Sequence, residues 1–146
     1  MPNPQFVLQK HMKNVLLSVR RLAEEEIAEG NIVKVGTADY HVKVADDSDV
    51  PLGVALNTVT TADLGLYSLG MGDIAAVEVE VALIGIVPVV CAAAVTAGVH
   101  CTTANNGQIK DEAGDGTDNL CGLTLRTTTA KDEETHMLIV LVPNSD

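Results

Sequence analysis

The chain has 146 residues, enough for one domain, and its 47% hydrophobic content excludes a largely disordered polypeptide. Its formal net charge of -11 excludes general binding to nucleic acid, because that affinity comes mainly from Lys and Arg side chains that neutralise phosphates. Gly85 and Pro88 interrupt the apolar run from Val81 to Val90, so no membrane span is expected.

The N-terminal stretch has the opposite charge from the rest of the chain. Residues 1–23 carry four basic side chains and no acid, which leaves -15 for the remainder. Such an arm is expected either to dock on an acidic neighbour, for example another copy of the chain, or to remain a solvated tail. Apolar residues here recur at helical spacing, but Val15 to Val19 also reads as a strand. We predict an extended arm over residues 1–14 followed by a strand.

An internal repeat organises the remainder of the chain. The segment IAEGNIVKV at 27–35 matches VTAGVHCTT at 95–103, and PLGVAL at 51–56 matches LCGLTL at 120–125. Both matches keep almost the same offset. We therefore predict two pseudo-repeated β units, at about 27–58 and 95–127, within a single domain of residues 15–146.

Short apolar runs separated by turn residues predict strands throughout. Alternation of apolar and polar residues is clearest from Val77 to Val81, the pattern of a strand with one wet face. Gly70 to Asp73 is interpreted as a turn into that strand. Together the pattern predicts an all-β fold, a compact β-barrel or sandwich. The predicted strands are 31–36, 41–45, 53–58, 75–83, 84–90, 99–103, 122–127 and 136–142.

No catalytic, cofactor or metal site is predicted. Cys101 and Cys121 fall where the first unit has Val33 and Leu52, so they are expected to be small buried hydrophobes. The acidic loop at 111–118 departs from the spacing of a calcium loop, because Ala113 stands at a ligand position, and it is expected to be solvated.

Two other functional classes compete with a structural role. One is an intracellular β-barrel or β-clip module that binds a small ligand or a peptide. The other is a hydrolase that uses an acid pair such as Asp132 and Glu134, although these residues read better as a charged turn. A deep polar pocket would favour either class over a structural protein.

Five segments in order resemble the tailed-phage head decoration proteins, also called capsid cement proteins. The similarity runs from about Ile27 to Pro143. Each motif is small, mainly an apolar-x-x-Gly turn or a Gly-led strand start, and their order carries the resemblance. The segments are IAEGNIVKVG, VPLGVAL, GDIAAVEVEVALIGIVPVVCAAAVTAG, GQIKDEAGDGTDNLCGLTL and HMLIVLVP.

The resemblance implies a non-enzymatic structural protein, often a homotrimer, on the outer capsid surface of the virion. It implies the major capsid protein and other copies of the chain as partners, with no nucleic acid, membrane or cofactor. Synthesis in the host cytoplasm is expected, since no secretory signal is evident. The family commonly binds through an N-terminal arm, and here the implied capsid-binding residues are Phe6, Val7, Leu8, Lys10 and Lys13.

Overall fold

A computed structural model describes residues 13–112 and 119–139, which form nine strands and one α-helix. The predicted all-β fold is confirmed. The helix, α1, spans Thr61–Ser68, and short 3-10 turns span Ile74–Val77 and Asn105–Gly107. The strands are β1 Asn14–Ala23, β2 Ile32–Val35, β3 His41–Val44, β4 Gly53–Ala55, β5 Glu78–Val90, β6 His100–Thr103, β7 Ile109–Asp111, β8 Leu120–Thr124 and β9 Glu134–Ile139.

The nine strands form one sheet that curls back on itself. Their order is β1-β3-β2-β4-β5-β9-β8-β6-β7, and β1 also pairs with β5, which closes the first five strands into a ring. In the second half, a parallel bridge from Cys91 to Ile109 brings the end of β5 to β7. Strand β5 is therefore shared by both halves of the molecule.

The sheet encloses two apolar cores, and β2, β4 and β5 each contribute to both. Val79 and Val81 lie in the first core with Val33 and Val42, inside the five-stranded ring. Val87 and Val89, further along β5, lie in the second core. Three cysteines, Met137 and several aliphatic side chains complete the second core. Ile32 of β2 and Val54 of β4 also lie in the second core, so several strands tie the two cores together.

The two halves pair their strands in the same order. β2 pairs antiparallel with β3 and β4, and β6 pairs antiparallel with β7 and β8. β4 then pairs with β5, and β8 pairs with β9. This is the order that a duplicated β unit would produce, although the pseudo-repeat itself stays a prediction.

The matched turn glycines make corresponding hydrogen bonds. Gly30 (φ +91°) and Gly98 (φ +84°) both adopt the left-handed conformation that favours glycine. The Gly30 amide donates to the Ala55 carbonyl at 2.8 Å, and the Gly98 amide donates to the Thr124 carbonyl at 2.7 Å. Each turn is thereby fastened to the strand that contains the second glycine of its unit, Gly53 in β4 and Gly122 in β8.

The structure corrects several predicted boundaries. The predicted strand 75–83 is wrong at its start, because a 3-10 turn runs to Val77, with the Asp73 carboxylate accepting from the Ala75 amide at 3.3 Å. The predicted strands 75–83 and 84–90 are one strand, which passes through Gly85 without a break. β8 ends at Thr124 rather than residue 127, and β9 begins at Glu134. Residues 140–142 lie outside the described residues.

Two elements were not predicted. Helix α1 lies between β4 and β5, where the sequence pattern indicated only a turn. β7 is three residues long and pairs with β6, and in the sequence it comes directly before the rest of the acidic loop at 111–118. The strand predicted after the arm is present as β1. Its ten residues, Asn14–Ala23, are therefore not helical.

Candidate interaction surface

Most of the implied capsid-binding residues cannot be placed. Phe6, Val7, Leu8 and Lys10 lie outside the described residues, as does most of the predicted arm. Lys13 is described, and its ammonium group forms an ion pair with the Glu29 carboxylate. Its implied role in capsid binding stays a prediction.

An apolar strip lies where β1 joins β5. The β1–β5 register shifts on both sides of Leu17, and Leu17 pairs with Ile84. Leu16 is 76% exposed, and both Leu17 and Ile84 are also exposed. A β-bulge of this kind re-aims side chains out of the normal alternation, which explains how two successive leucines both face solvent. We call Leu16, Leu17 and Ile84 the β1 strip.

Basic side chains flank the β1 strip along the same strand. Arg20 reaches Glu78 at 3.4 Å, but its side chain remains 76% exposed. The Arg21 guanidinium lies over the Tyr40 ring, 5.6 Å from the ring centre. No acidic residue occurs from Lys13 to Ala23. The β1 strip itself is apolar, and the basic side chains of Arg20 and Arg21 follow it along β1.

A second apolar surface lies on the segment between β4 and β5. We call residues 60–77 the helical excursion. No residue of α1 is buried, and only Leu64 of the helix packs against the first core. Several large apolar side chains of this segment are exposed, Met71 the most at 77%, and they are Leu66, Tyr67, Leu69, Met71 and Ile74. Exposed apolar groups clustered in one short segment are typical of protein interaction surfaces.

Local hydrogen bonds account for the formation of this helix. Thr60 and Asp63 form a capping box, in which the Thr60 hydroxyl accepts from the Asp63 amide and the Asp63 carboxylate accepts from the Thr60 amide. At the other end, Gly70 takes φ +74° and its amide donates to the Tyr67 carbonyl. The T-x-x-D spacing and the Gly were available in the sequence as signals for this helix.

The acidic loop at residues 46–49 is held by internal partners. The Asp47 carboxylate lies 3.0 Å from the Lys110 ammonium, and the Asp46 carboxylate accepts from the Asn106 amide. Asp49 accepts from Lys34 at 2.5 Å and from the Asp46 amide, and both contacts hold the pKa of Asp49 below its usual value. These carboxylates thus fasten the loop, in part to the second half of the sheet.

Two of the surface clefts in the described part of the chain have polar linings, and no cluster of side chains suited to a metal ion occurs among the described residues. One cleft, of about 270 Å³, is lined by Lys13, Glu29 and Glu134, among others. The other, of about 390 Å³, is lined in part by Glu25, Glu26 and Asp46. The polar side chains that line them are carboxylates, amides and Lys13, and this set does not indicate a particular reaction.

The proposed hydrolase pair is not organised as one. Asp132 sits in a turn with φ +67° and accepts from the Gln108 amide group at 2.8 Å. Glu134 begins β9 and pairs with Val90. The interpretation as a charged turn agrees with the structure for Asp132 but not for Glu134, which belongs to β9.

The three cysteines are free and buried, which confirms the expectation for Cys101 and Cys121. The sulfur atoms of Cys101 and Cys121 lie 3.6 Å apart, and Cys101 Sγ also lies 3.3 Å from Met137 Sδ. The contact with Cys121 and burial both raise the pKa of the Cys101 thiol, and burial raises the pKa of the Cys91 thiol. These thiols act as packing groups rather than as nucleophiles.

Comparison with protein families gives a match over residues 10–139 to the family described as "Structural cement protein (E217 gp24/Pam3 gp6)". The chain belongs to this family of phage structural cement proteins. The resemblance drawn from the sequence is thereby confirmed, and the protein is a structural component of a phage capsid.

The fold of this cement protein also resembles that of a solved structure. The head fibre gp8.5 N base of bacteriophage phi29 matches with a TM-score of 0.61 at 15% identity, over 85% of this chain and 93% of that one. At this identity the likeness concerns the fold alone. Comparison with curated proteins gave no match. The described residues contain no helix with the length and apolar character needed to cross a membrane.

Proposed function

We propose that this cement protein binds the outer surface of the mature phage head and stabilises contacts between subunits of the major capsid protein. The family match over residues 10–139 is the observation that carries the proposal. A protein that occupies many equivalent sites on a shell needs no substrate pocket, because many modest contacts together resist expansion and rupture. The acidic composition favours solubility at a high local density of copies.

The N-terminal arm is the proposed contact with the capsid. It is basic, and it includes the apolar run Phe6, Val7 and Leu8. An arm of this composition gains affinity from both apolar burial and charge when it orders on an acidic surface. Lys10 and Lys13 supply the charge in this proposal, and Lys13 would exchange Glu29 for an acidic group of the capsid.

Self-association is part of the proposal, with three copies forming a homotrimer. Closed rings of identical subunits are the common outcome when one surface of a chain binds a different surface of the next. A trimer would also multiply the arms available to one capsid site, which raises the overall affinity without any new type of contact.

Capsid binding can be tested with expanded heads prepared without this protein. The full chain is expected to co-sediment with such heads and to raise the temperature at which they release packaged DNA. A chain that begins at residue 15, without the whole arm, is expected to stay in the supernatant while its circular dichroism spectrum retains the strand signal.

A charge variant and a matched control refine the test. Lys10→Glu with Lys13→Glu is expected to weaken co-sedimentation at least tenfold, whereas Val50→Asp, at an exposed site outside residues 1–14, is expected to leave it unchanged. Heads that bind the shortened chain as well as the full chain would refute the role of the arm. Heads whose DNA release is unaffected by bound protein would refute the stabilising role.

A further inference from the structure

Cys101 and Cys121 are a pair of thiols that the proposed capsid role does not use. Their sulfur atoms lie 3.6 Å apart inside the second core, where Cys101 is fully buried and Cys121 is 3% exposed. Both cysteines are free. The third cysteine, Cys91, interacts with the Thr128 side chain. Two thiols in contact can be joined by oxidation into a disulfide, provided that the backbone places them correctly.

A β-bulge brings the two thiols to the same side of the sheet. In the antiparallel β6–β8 ladder, Cys101 pairs with Gly122. The next pair is Thr102 with Leu120, so Cys121 is an extra residue on β8. In a bulge, two residues of one strand lie opposite a single residue of the partner strand, and here both thiols enter the second core. Directly opposite residues in such a ladder have Cα atoms roughly 4.5–5.5 Å apart, within the range that a disulfide spans.

The surroundings of the pair permit the sulfur atoms to come together. A disulfide bond is about 2.05 Å long, so the two sulfurs must approach by roughly 1.5 Å. Met137 Sδ lies 3.3 Å from Cys101 Sγ, and a flexible methionine side chain can follow the movement. Oxidation removes the thiol hydrogen bonds from Cys101 to the Gly122 carbonyl and from Cys121 to the Cys101 carbonyl, at 3.3 and 3.4 Å. Thiols are weak donors, so this loss is small.

We propose that Cys101 and Cys121 form a disulfide bond after the phage leaves the reducing interior of its host. The inference rests on the proposed function, because a component of the released particle is the one that meets an oxidising medium. The bond closes a loop between two residues 20 positions apart and holds β6 to β8. Such a link disfavours the unfolded chain, so the cement protein becomes harder to unfold once the phage is outside the cell.

A low-molecular-weight disulfide, such as oxidised glutathione, is the oxidant in this proposal. The thiolate of one cysteine attacks this disulfide, whose S–S bond breaks and releases one glutathione thiolate. The second cysteine thiolate then attacks the protein sulfur of the mixed disulfide and releases the second glutathione thiolate. The two cysteine protons pass to the released thiolates, so the protein loses two hydrogens and glutathione gains them. Because both thiols are buried, the reaction proceeds through opening of the second half of the sheet.

Oxidation of the purified full chain tests the pair. The protein is reduced, freed of reductant and incubated with oxidised glutathione, in buffer and in urea just below the unfolding transition. Its intact mass is expected to fall by the mass of two hydrogens, and to fall faster in urea. After trypsin digestion, the peptide that ends at Lys110 is expected to be linked to the one that ends at Arg126, because these carry Cys101 and Cys121. The oxidised protein is expected to unfold at a higher urea concentration, and dithiothreitol is expected to reverse this shift.

Two cysteine variants identify the bond. Cys91→Ala is the matched control, since it removes the other buried thiol, and it is expected to lose two hydrogens as the wild type does. Cys121→Ala leaves Cys101 without its partner and is expected to gain no resistance to urea. Circular dichroism of both variants is expected to match the wild type. A wild type that keeps its thiols or only gains glutathione, a Cys121→Ala chain that still loses two hydrogens, or an oxidised protein no more resistant to urea would each overturn the proposal.

Capsid binding distinguishes failure of this inference from failure of the proposed function. Thiols on phage particles are trapped by alkylation at host lysis, and again after the released phage has met oxidised glutathione. The pair is expected to be reduced at lysis and joined afterwards. A protein that binds and stabilises heads but keeps its thiols reduced overturns the disulfide and leaves the capsid role intact. A protein that forms the disulfide in solution but does not bind heads overturns the capsid role and leaves the redox chemistry of the pair intact.

Discussion

At the scale of single residues, Gly53 of β4 and Gly122 of β8 are positions where the neighbouring strand comes very close. A Cβ atom added at Gly122 would lie 2.5 Å from the Leu138 carbonyl oxygen, and one added at Gly53 would lie 2.2 Å from the Ala82 carbonyl oxygen. Both contacts involve backbone, which cannot rotate away as a side chain can. The two halves of the molecule therefore use glycine for the same reason at matched positions.

Gly122→Ala is expected to destabilise the protein by about 2 kcal/mol, the usual cost of forcing extra volume into a packed region. Urea unfolding at equilibrium measures the change. Gly65→Ala is the matched control, since a Cβ there meets nothing within 4 Å and the residue lies inside α1. That variant is expected to be neutral or slightly stabilising. Equal effects of the two substitutions would contradict the close approach at β8.

Asp49 gives the protein a dependence on acidic pH. Its contacts with Lys34 and the Asp46 amide lower its pKa in the folded state, so it contributes stability above the unfolded-state pKa of about 4. That contribution is lost as the pH falls through the lower folded-state pKa. The wild type is therefore expected to lose more unfolding free energy between pH 6 and pH 3 than Asp49→Asn does.

Urea unfolding at both pH values measures this difference. Asp39→Asn, at an exposed carboxylate in the β2–β3 turn, serves as the control and is expected to keep the wild-type pH dependence. If Asp49→Asn loses as much stability on acidification as the wild type, the ion pair with Lys34 contributes nothing to acid sensitivity.

At the scale of elements, what the sequence predicts depends on whether a pattern is buried. The alternation in β5 was recognisable because Val79 and Val81 face a core while Glu80 faces solvent. Helix α1 was missed because its apolar residues do not recur on one buried face, which is the usual signal for a helix. β7 has only three residues, too few for any period to show.

Helix α1 is expected to unfold locally without loss of the sheet. Thr60→Ala removes the hydroxyl of the capping box, at a cost of about 1 kcal/mol to the helix. Because no residue of α1 is buried, amide exchange in residues 61–68 is expected to speed up while exchange in β5 stays the same. Thr61→Ala, which loses only a contact with Glu26, is the control. Faster exchange in both elements would show that the helix supports the sheet.

At the scale of the whole molecule, pairing between distant segments is what the sequence did not predict. The β1–β5 ladder joins residues more than 50 positions apart and closes the first ring, and nothing in the local pattern of either strand specifies it. The similarity between the two units predicted matching turns, but not that β5 would be shared. For the candidate surfaces, the basic character of residues 1–23 was evident, whereas the exposure of Leu16 depends on a bulge visible only in the fold.

Because β2, β4 and β5 supply side chains to both cores, we expect the two halves to unfold as a single cooperative unit. Val33→Ala removes two methyl groups from the first core and is expected to cost about 2 kcal/mol. Cys101 and Cys121 lie in the second core, so the rate at which a thiol reagent labels them reports the opening of that half. If the halves open together, Val33→Ala lowers the free energy of opening measured at these thiols by as much as it lowers the global value from urea. Thr129→Ala, at an exposed residue between β8 and β9, is the control and is expected to change neither free energy. If Val33→Ala leaves the labelling rate of these thiols unchanged, the two halves open independently.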